Sequence, residues 1–392
     1  MSSIVSVSRP PTIYLVAGEE SGDRLGAALM KAISDKLGSA VRFEGVGGQD
    51  MIALGFQSLF PIDELSIMGF AAIVRRLPSI LRRIRQTAES IIAARPDALV
   101  VIDSPEFTHR VARRVRAQLP NLPIIDYVSP SVWAWRSGRA AAMRAYIDHV
   151  IAILPFEPAV HERLGGPLCT YVGHPLVQQI SELRPNAAEL ERRNSDLPVV
   201  LVLPGSRTGE IRRLLDPFGG AIARAARDLG SMELIMPSVP RHADALRHAT
   251  SHWTIRPRVV DTAEDKYAAF RVARAALAAS GTVTLELALA GIPTVAAYRV
   301  AAWEAAIARR LIRAPSAILA NLVIGENVVP EFLQESCAPE QLSDALVRVV
   351  QSTPDRERQV AAFSRLDDIM NIGDVAPSIK AADIVLRSIR KN

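Results

Sequence analysis

The chain has 392 residues, more than one hydrophobic core usually supports, so two domains are expected. Its 46 Lys and Arg residues against 41 Asp and Glu residues give a net charge of only +5, which argues against extended nucleic-acid binding and for anionic small molecules or an anionic surface. The two distant cysteines, Cys169 and Cys337, indicate a reducing compartment, and no stretch has the pattern of a signal peptide or a membrane span.

Short apolar runs alternate with helical patterns along the whole chain, which predicts an α/β protein with two doubly wound, Rossmann-like parallel sheets. Eight runs are predicted as buried strands: Thr12–Ala17, Ala98–Ile102, Ile124–Val128, Val150–Leu154, Val199–Leu203, Glu233–Met236, Ala275–Ala279 and Thr294–Ala297. Open α/β sheets bind ligands beyond the carboxyl ends of their strands, so chemistry is expected in the turns that follow these strands.

A polar stretch bounded by prolines, residues 184–198, is predicted to link the two halves. Apolar residues at helical spacing from Ile379 to Ile389 predict a tail helix that could pack on either domain. We assign residues 1–183 and 365–392 to an N-terminal domain, with the tail helix returning to it, and residues 184–364 to a C-terminal domain.

The turn after the first strand, residues 18–26, lacks the dinucleotide fingerprint and the lysine of a P-loop. Its adjacent acids suggest binding to hydroxyl groups, so Glu20 is a catalytic candidate and Ser21 a substrate-binding one. The alternative is a capped turn with Asp23 near the start of the helix.

Asp103 ends the apolar strand Ala98–Ile102, where an acid points into the crevice and is partly desolvated. This position makes Asp103 the first choice for a general base and Glu106 the second. The alternative is that Asp103 forms an Asx turn before Ser104-Pro105.

The segment after the third predicted strand carries two of the four tryptophans, Trp133 and Trp135, followed by Arg136. Their faces and charge would suit a sugar ring or an acyl chain. The ordinary alternative is that the tryptophans are buried in the core.

Two turns in the second half are predicted to hold the phosphates of a nucleotide. Gly205, Ser206 and Arg207 follow the strand Val199–Leu203. The second turn opens a helix and consists of small residues, Ser280, Gly281 and Thr282. Glu286 is the lone acid of that helix and is suited to ribose hydroxyls, unless it simply points to water.

Residues 65–88 contain no acid, five arginines and many apolar side chains, with Pro78 expected to break the segment into two short pieces. The pattern predicts contact with an anionic membrane surface, the alternative being a solvated helix with one core face. The membrane candidates are Met68, Phe70, Arg75, Arg76, Arg82 and Arg83.

The chain has no Asp-x-Asp pair, no His-Glu-x-x-His and no Gly-x-Ser-x-Gly motif. These absences argue against a metal on a diphosphate, a zinc protease and a serine hydrolase. We therefore expect neither a metal nor another cofactor.

These motifs resemble those of the lipid-A-disaccharide synthase family, whose members are sugar-nucleotide glycosyltransferases of the two-domain GT-B architecture. The resemblance covers nearly the whole chain and rests on residues 17–26, 102–107, 128–136 and 203–207, and on 279–282 with Glu286. The run Ser-Pro-Ser-Val-Trp-Ala-Trp at residues 129–135 is highly specific, whereas Ser-Gly-Thr with a downstream Glu is shared across GT-B enzymes.

The resemblance implies transfer of 2,3-diacylglucosamine from its UDP conjugate to the 6-hydroxyl of 2,3-diacylglucosamine 1-phosphate, with inversion and without a metal. It implies two domains facing a cleft, the N-terminal one taking the acceptor and facing the membrane and the C-terminal one binding the UDP-sugar. It further implies a cytoplasmic enzyme, peripheral on the inner face of the inner membrane. The oligomeric state stays open, with a homodimer as one arrangement.

Under this resemblance Asp103 is the base, Arg207 and the Ser280 turn receive the diphosphate, and Glu286 receives the ribose. Asn321 matches a polar site residue of the family. Thr108 departs from it, because the family commonly has Asn there, so an amide role at this position is missing.

Two other functions remain open at this point. One is a UDP-N-acetylglucosamine epimerase or another GT-B transferase, and the other is a non-catalytic protein that binds sugar nucleotides or lipids. The basic, apolar segment 65–88 argues against an enzyme with soluble substrates, and Asp103 at a strand end argues against binding alone.

Overall fold

The computed structural model describes residues 10–38, 41–65, 70–311, 314–371, 373 and 375–390. Contacts divide the chain into two compact units. The first runs from the N-terminus to Pro175 and resumes at Gly373, and the second comprises Leu176–Ile372. Each unit contains one parallel sheet of six strands.

The sheet of the first unit has the order β2-β1-β3-β4-β5-β6. Its strands are β1 (Thr12–Ala17), β2 (Arg42–Val46), β3 (Ala98–Ile102), β4 (Ile124–Tyr127), β5 (His149–Ala152) and β6 (Leu168–Tyr171). The helices between them are α1 (Glu20–Leu37), α2 (Gln49–Ile52), α3 (Phe70–Ala94), α4 (Pro105–Gln118), α5 (Gly138–Met143) and α6 (Glu157–Arg163).

The sheet of the second unit has the order β12-β11-β10-β7-β8-β9. Its strands are β7 (Val199–Leu203), β8 (Glu233–Pro237), β9 (Arg258–Val260), β10 (Ala275–Ala279), β11 (Thr294–Tyr298) and β12 (Glu331–Leu333). Its helices are α7 (Ile180–Leu183), α8 (Ala187–Arg193), α9 (Thr208–Leu229), α10 (Pro240–Ala249), α11 (Ala263–Val272), α12 (Val283–Leu289), α13 (Ala302–Leu311), α14 (Leu319–Ile324), α15 (Pro339–Val350), α16 (Pro354–Ser364) and α17 (Leu366–Ile369).

The last helix, α18 (Pro377–Arg390), belongs to the first unit. It packs against α1, and its buried residues Ala382 and Val385 join the core on that side of the sheet. Successive side chains of β1 lie in the cores on opposite faces of the sheet, because side chains alternate between the two faces along a strand. Leu15 lies in the core with α1 and α18, and Tyr14 lies in the core with α3 and α4.

The predicted α/β architecture is confirmed, and so is each of the eight predicted strands, to within two residues at either end. The sequence pattern missed β2, β6, β9 and β12, which are the edge strands of the two sheets. Interior strands of a parallel sheet are buried on both faces and give continuous apolar runs. The edge strands are partly exposed, with β6 (Leu-Cys-Thr-Tyr) having no fully buried residue, so that signal is absent.

The boundaries between the two units lie near residues 175 and 373. The sequence pattern predicted domain boundaries at 183/184 and 364/365. The intervening residues pack within the second unit. Tyr267 donates a hydrogen bond of 2.9 Å to Gln179, and Arg184 forms a two-pronged ion pair with Asp367. Polarity and proline content mark a linker in sequence, but these bonds tie part of it to one unit.

The expected break at Pro78 is wrong, because α3 runs without interruption from Phe70 to Ala94 with the proline inside it. An interior proline removes one backbone hydrogen bond and costs roughly 3 kcal/mol. The buried residues Ile84, Ala88 and Ile91 pack into the core further along the same helix, which offsets that cost.

Candidate functional site

The strand order reverses at one place in each sheet, and α/β sheets bind ligands in the crevice beyond the carboxyl ends of the strands at that place. In the first unit the reversal lies between β1 and β3, and in the second unit between β7 and β10. The turns after these four strands carry most of the residues that the sequence analysis selected. Each unit therefore has one candidate half-site, and we describe the two separately.

The turns after β1 and β3 touch each other in the first unit. A Cβ atom added to Gly18 would lie 2.2 Å from the Cβ of Ser104, so only glycine permits this close approach. Ser21, three residues later, donates a hydrogen bond of 3.1 Å from its hydroxyl to Oδ2 of Asp103. The structure thus brings the predicted base and a predicted substrate-binding residue into contact.

The carboxylate of Asp103 is held at both oxygens. The backbone N–H of Ser104 donates to Oδ1 at 2.7 Å, while the Ser21 hydroxyl occupies one lone pair of Oδ2. A carboxylate offers about four acceptor positions, so room remains for a substrate hydroxyl. The bond from Ser104 is not the Asx turn of the alternative interpretation, because that turn needs the N–H two residues on and Pro105 has none. The bond orients the carboxylate without blocking it.

The backbone at this point is strained. Asp103 has φ +56° and Ser104 has φ +48°, and both are residues with a Cβ in the left-handed region. Each such residue costs on the order of 1–3 kcal/mol and usually marks a functional site. Hydrogen bonds hold the strained turn: the N–H of Asp103 donates to the carbonyl of Tyr127, and the Thr108 hydroxyl donates to the carbonyl of Asp103.

Thr108 therefore has a structural role in this chain. Its side chain is fully buried, and its hydroxyl also lies 3.1 Å from the carbonyl oxygen of Ser104. The position where the family commonly has Asn is occupied here by a residue that supports the backbone of the Asp103 turn.

In the turn after β1, Asp23 and Glu20 have different environments. Asp23 is buried and accepts backbone hydrogen bonds from Gly48, Asp50 and Met51, so it caps α2. The alternative of a capped turn at the start of α1 is therefore wrong for Asp23, because the helix it caps is α2 and the start of α1 has no side-chain cap. Glu20 lies exposed on the first turn of α1, where it stays a candidate for contact with substrate.

Glu106 is engaged in an arginine cluster. It pairs with Arg136 at 3.0 Å, with Arg110 at 3.8 Å and, through a short contact, with Arg139. Partial burial raises the pKa of Glu106, but the hydrogen bond and charge of Arg139 and the charges of the other two arginines outweigh it and hold this pKa below its ordinary value. An acid held ionised by three cations is a poor base, which favours Asp103 over Glu106.

The two predicted tryptophans also differ. Trp133 packs edge-to-face on Phe156 at 5.5 Å, in a small core with Val132 and Val160, so packing holds its ring and its contact with substrate stays a prediction. Trp135 is half-buried, and its ring is covered by the guanidinium of Arg136 at 4.3 Å. Trp135 and the exposed Arg136 remain candidates beside the Asp103 turn.

In the second unit, Gly205 makes the turn after β7 possible. It has φ +111°, and a Cβ there would lie 2.6 Å from a carboxylate oxygen of Glu210. Ser206 is exposed, and the side chain of Arg207 is 67% exposed with one contact of 3.2 Å to Glu210. An exposed guanidinium with a single exchangeable partner is suited to receive a phosphate.

The turn after β10 lies next to the turn after β7, because Leu203 and Ala278 are partners in the register of these two strands. Ser280 uses both of its donors internally: its N–H bonds the carbonyl of Ala297 and its hydroxyl bonds the carbonyl of Ala317. These two bonds hold the turn, and the contact of Ser280 with phosphate stays a prediction.

Gly281 and Thr282 are the exposed part of this turn. Their backbone N–H groups have no acceptor among the residues that the structure describes. Gly281 has φ +155°, which an L side chain rarely adopts. These two residues remain candidates for nucleotide contact, and Glu286 lies one turn further along the same helix.

Asn321 is predicted to bind substrate, and the structure shows which groups its side chain already contacts. It is only 2% exposed, its amide oxygen accepts from the N–H groups of Val328 and Val329, and its amide nitrogen donates to the carbonyl of Val329. The side chain thus closes the loop between α14 and β12. The internal bonds engage both the oxygen and the nitrogen of the amide, and the contact of Asn321 with substrate stays a prediction.

The predicted membrane segment is described only in part. Met68 lies outside the described residues, and Phe70, Arg75 and Arg76 are placed as part of α3 without their side chains. Arg82 is exposed, and it lies beside the exposed apolar residues Leu77 and Leu81.

Arg83, in contrast, is a structural residue. It forms a two-pronged ion pair with Glu64 and lies over the ring of Phe60 at 4.5 Å. These contacts hold Arg83 within the first unit, and its contact with a membrane stays a prediction. The segment contains no acid, but the acid just before it pairs with Arg83 and the acid just after it, Glu89, pairs with Arg85.

Two residues at the candidate half-sites were not anticipated from the sequence. Arg139 completes the cluster around Glu106, and Lys266 forms an ion pair with Glu286. Arg139 carried a weak signal, because it lies three residues after Arg136 in the same segment. Lys266 carried none, because it lies 20 residues before its partner on a different helix.

Among the described residues, no helix combines the length and apolar character that crossing a bilayer requires. Within the same residues, no three or more His, Cys, Asp or Glu side chains are grouped so that they could hold a metal ion.

Comparison with known proteins adds a family. Residues 13–379 match the family described as lipid-A-disaccharide synthetase. The lipid-A-disaccharide synthase of Nitrobacter winogradskyi is 61% identical over 380 residues, which cover 97% of this chain and 96% of the relative.

Solved structures show the same fold at low identity. A Staphylococcus aureus MnaA–UDP structure has a TM-score of 0.64 at 12% identity, with 97% of each chain covered. A UDP-GlcNAc 2-epimerase from Neisseria meningitidis bound to UDP-GlcNAc has a TM-score of 0.58 at 11% identity, with 97% of this chain and 100% of the other covered. At such identities the likeness concerns the fold alone, whereas the 61% relative bears on the activity.

Proposed function

The chain belongs to the lipid-A-disaccharide synthase family, and we propose that it carries out the reaction of that family with Asp103 as the general base. The protein is a hexosyltransferase. It transfers 2,3-diacylglucosamine from the UDP conjugate to the 6-hydroxyl of 2,3-diacylglucosamine 1-phosphate. The products are the β-1,6 disaccharide 1-phosphate and UDP.

The chemical step needs a base and a stabilised leaving group. Asp103 accepts the proton of the acceptor 6-hydroxyl, and that oxygen forms a bond to the anomeric carbon of the donor sugar. The bond from this carbon to the UDP oxygen breaks, and the electron pair leaves with the diphosphate. Arg207 and the N–H groups of Gly281 and Thr282 receive that negative charge, and Glu286 accepts hydrogen bonds from the ribose.

The observation that carries this proposal is the environment of Asp103. Its carboxylate stands on a strained turn at the strand reversal, is oriented by Ser104 and Ser21, and keeps acceptor positions open. A general base needs this combination of a fixed direction and an open acceptor position.

The test uses the purified full chain with the acylated donor and acceptor, and with unacylated UDP-N-acetylglucosamine as the control. We expect UDP and the disaccharide 1-phosphate from the acylated pair alone, detected by mass spectrometry. Absence of product from the acylated pair would overturn the proposal. Epimerisation of the unacylated UDP-sugar would support the alternative enzyme class.

Helix α3 is the proposed contact with the membrane that holds both lipid substrates. Leu77 and Leu81 lie four residues apart and are 44% and 41% exposed, so they share one helix face. Arg82 lies exposed beside them and would meet anionic headgroups. An apolar stripe next to a cation is the arrangement that peripheral helices use at the surface of a cytoplasmic leaflet.

A further inference from the structure

Lys266 on α11 and Glu286 on α12 form an ion pair at the edge of the proposed nucleotide half-site. The ammonium nitrogen lies 2.5 Å from Oε2 of Glu286. The two side chains are only 28% and 14% exposed, so solvent screens the pair less than it would at the open surface. The other carboxylate oxygen, Oε1, has no donor within the described part of the chain.

The ammonium of Lys266 is fixed in place by aromatic rings. It lies 5.3 Å from the centroid of the Tyr267 ring and 5.4 Å from that of the fully buried Phe270. Tyr267 is itself anchored by a hydrogen bond to Gln179. A cation that contacts two rings and a carboxylate has little freedom, so it can act as a fixed point for its partner.

Glu286 needs such a partner because it is the one charged residue of α12. The neighbouring residues Leu285, Leu287 and Ala288 are buried, and a carboxylate beside them would be costly without a counter-charge. Lys266 supplies that charge at one oxygen only. A carboxylate anchored at one oxygen presents the other in a single direction.

We propose that Lys266 is a positioning residue for the ribose site: by holding Oε2 of Glu286, it directs Oε1 toward the hydroxyl groups of the nucleotide ribose. The inference rests on the proposed contact between Glu286 and the ribose. It adds that Lys266 makes this contact selective for a ribose with both hydroxyl groups. Without Lys266 the carboxylate rotates, and its preference for a ribose carrying both hydroxyls declines.

The test compares the affinities of UDP and 2′,3′-dideoxy-UDP, measured by calorimetry on the full chain. In the wild type we expect UDP to bind roughly tenfold to a hundredfold more tightly, because a charged acceptor loses its donors in the dideoxy compound. Glu286→Ala should abolish this ratio. Lys266→Met should reduce it severalfold while Glu286 is still present.

Lys36→Met is the matched control, since Lys36 pairs with Asp383 at 2.9 Å in the first unit and its loss should leave the ratio unchanged. Lys266→Gln is a second variant, which removes the charge but keeps a donor, and it takes the place of Lys266→Met if that protein does not fold. A wild-type affinity ratio in every Lys266 variant that folds, with the ratio lost in Glu286→Ala, would overturn the positioning role of Lys266 alone. A wild-type ratio in Glu286→Ala would overturn the ribose contact itself.

Discussion

The carboxyl edges of the two sheets hold their polar groups in opposite ways. At the β1/β3 edge the groups are already bonded to one another, with Ser21 on Asp103 and Glu106 inside a cluster of arginines. At the β7/β10 edge the groups stand exposed, as Ser206 and Gly281 do, and the Arg207 side chain is 67% exposed.

This difference fits what each edge is proposed to do. A general base must have a fixed direction before the substrate arrives, so internal hydrogen bonds improve it. A phosphate site works with donors that have no earlier partner, because each internal bond would have to be broken on binding. Ser280, whose donors are both used internally, is the residue that departs from this rule at the second edge.

The largest expected effect comes from Asp103→Asn, which keeps the shape of the side chain but removes the base. Turnover should fall roughly 10²–10⁴-fold, the usual contribution of general base catalysis. The affinity for UDP should stay within about twofold of the wild type, because the nucleotide residues are on the other unit. UDP release and calorimetry measure the two quantities.

Asp148→Asn is the matched control, because Asp148 precedes β5 at the opposite end of the sheet and pairs with Arg116. Near-normal turnover is expected there. Wild-type turnover in Asp103→Asn would remove Asp103 from the base role and break the contrast between the two edges.

Arg207→Ala should act at the other edge. Loss of a charge-assisted contact to phosphate is expected to weaken UDP binding roughly tenfold to a hundredfold. Arg212→Ala, which removes an exposed arginine from the same helix α9, is the control and should bind UDP nearly as the wild type does. Equal affinities for Arg207→Ala and the wild type in calorimetry would count against the phosphate clamp.

Asn321→Ala should change stability and leave ligand affinity alone. The truncation leaves the buried N–H groups of Val328 and Val329 without acceptors, which costs about 2 kcal/mol of the free energy of unfolding. Urea denaturation measures that loss. An unchanged unfolding midpoint together with weaker substrate binding would instead support direct contact between Asn321 and the substrate.

Arg82→Ala should have the smallest effect, because it removes a single exposed cation. One cation near an anionic surface contributes about 1 kcal/mol, so sedimentation with vesicles that contain an anionic lipid should show roughly fivefold weaker binding. Arg227→Ala on α9 makes the same change in net charge and should bind as the wild type does. Equally weakened vesicle binding in both variants would mean that net charge, and not a specific contact of α3, determines membrane binding.

The sequence by itself determined the interior strands and the positions of Asp103, Gly205 and Arg207. Continuous apolar runs mark strands buried on both faces, and the residues that follow them must reach the carboxyl edge of a parallel sheet. Both inferences depend on local pattern and chain direction alone, so they need no knowledge of distant contacts.

Only the tertiary structure decided which polar residues face inward. Asn321 and Arg83 have the same composition signal as site residues, yet backbone N–H groups surround the first and Glu64 pairs with the second. Lys266 meets Glu286 because α11 and α12 flank the same strand, β10. Such contacts form only when the helices and loops dock on the sheet, so the local sequence pattern does not reveal them.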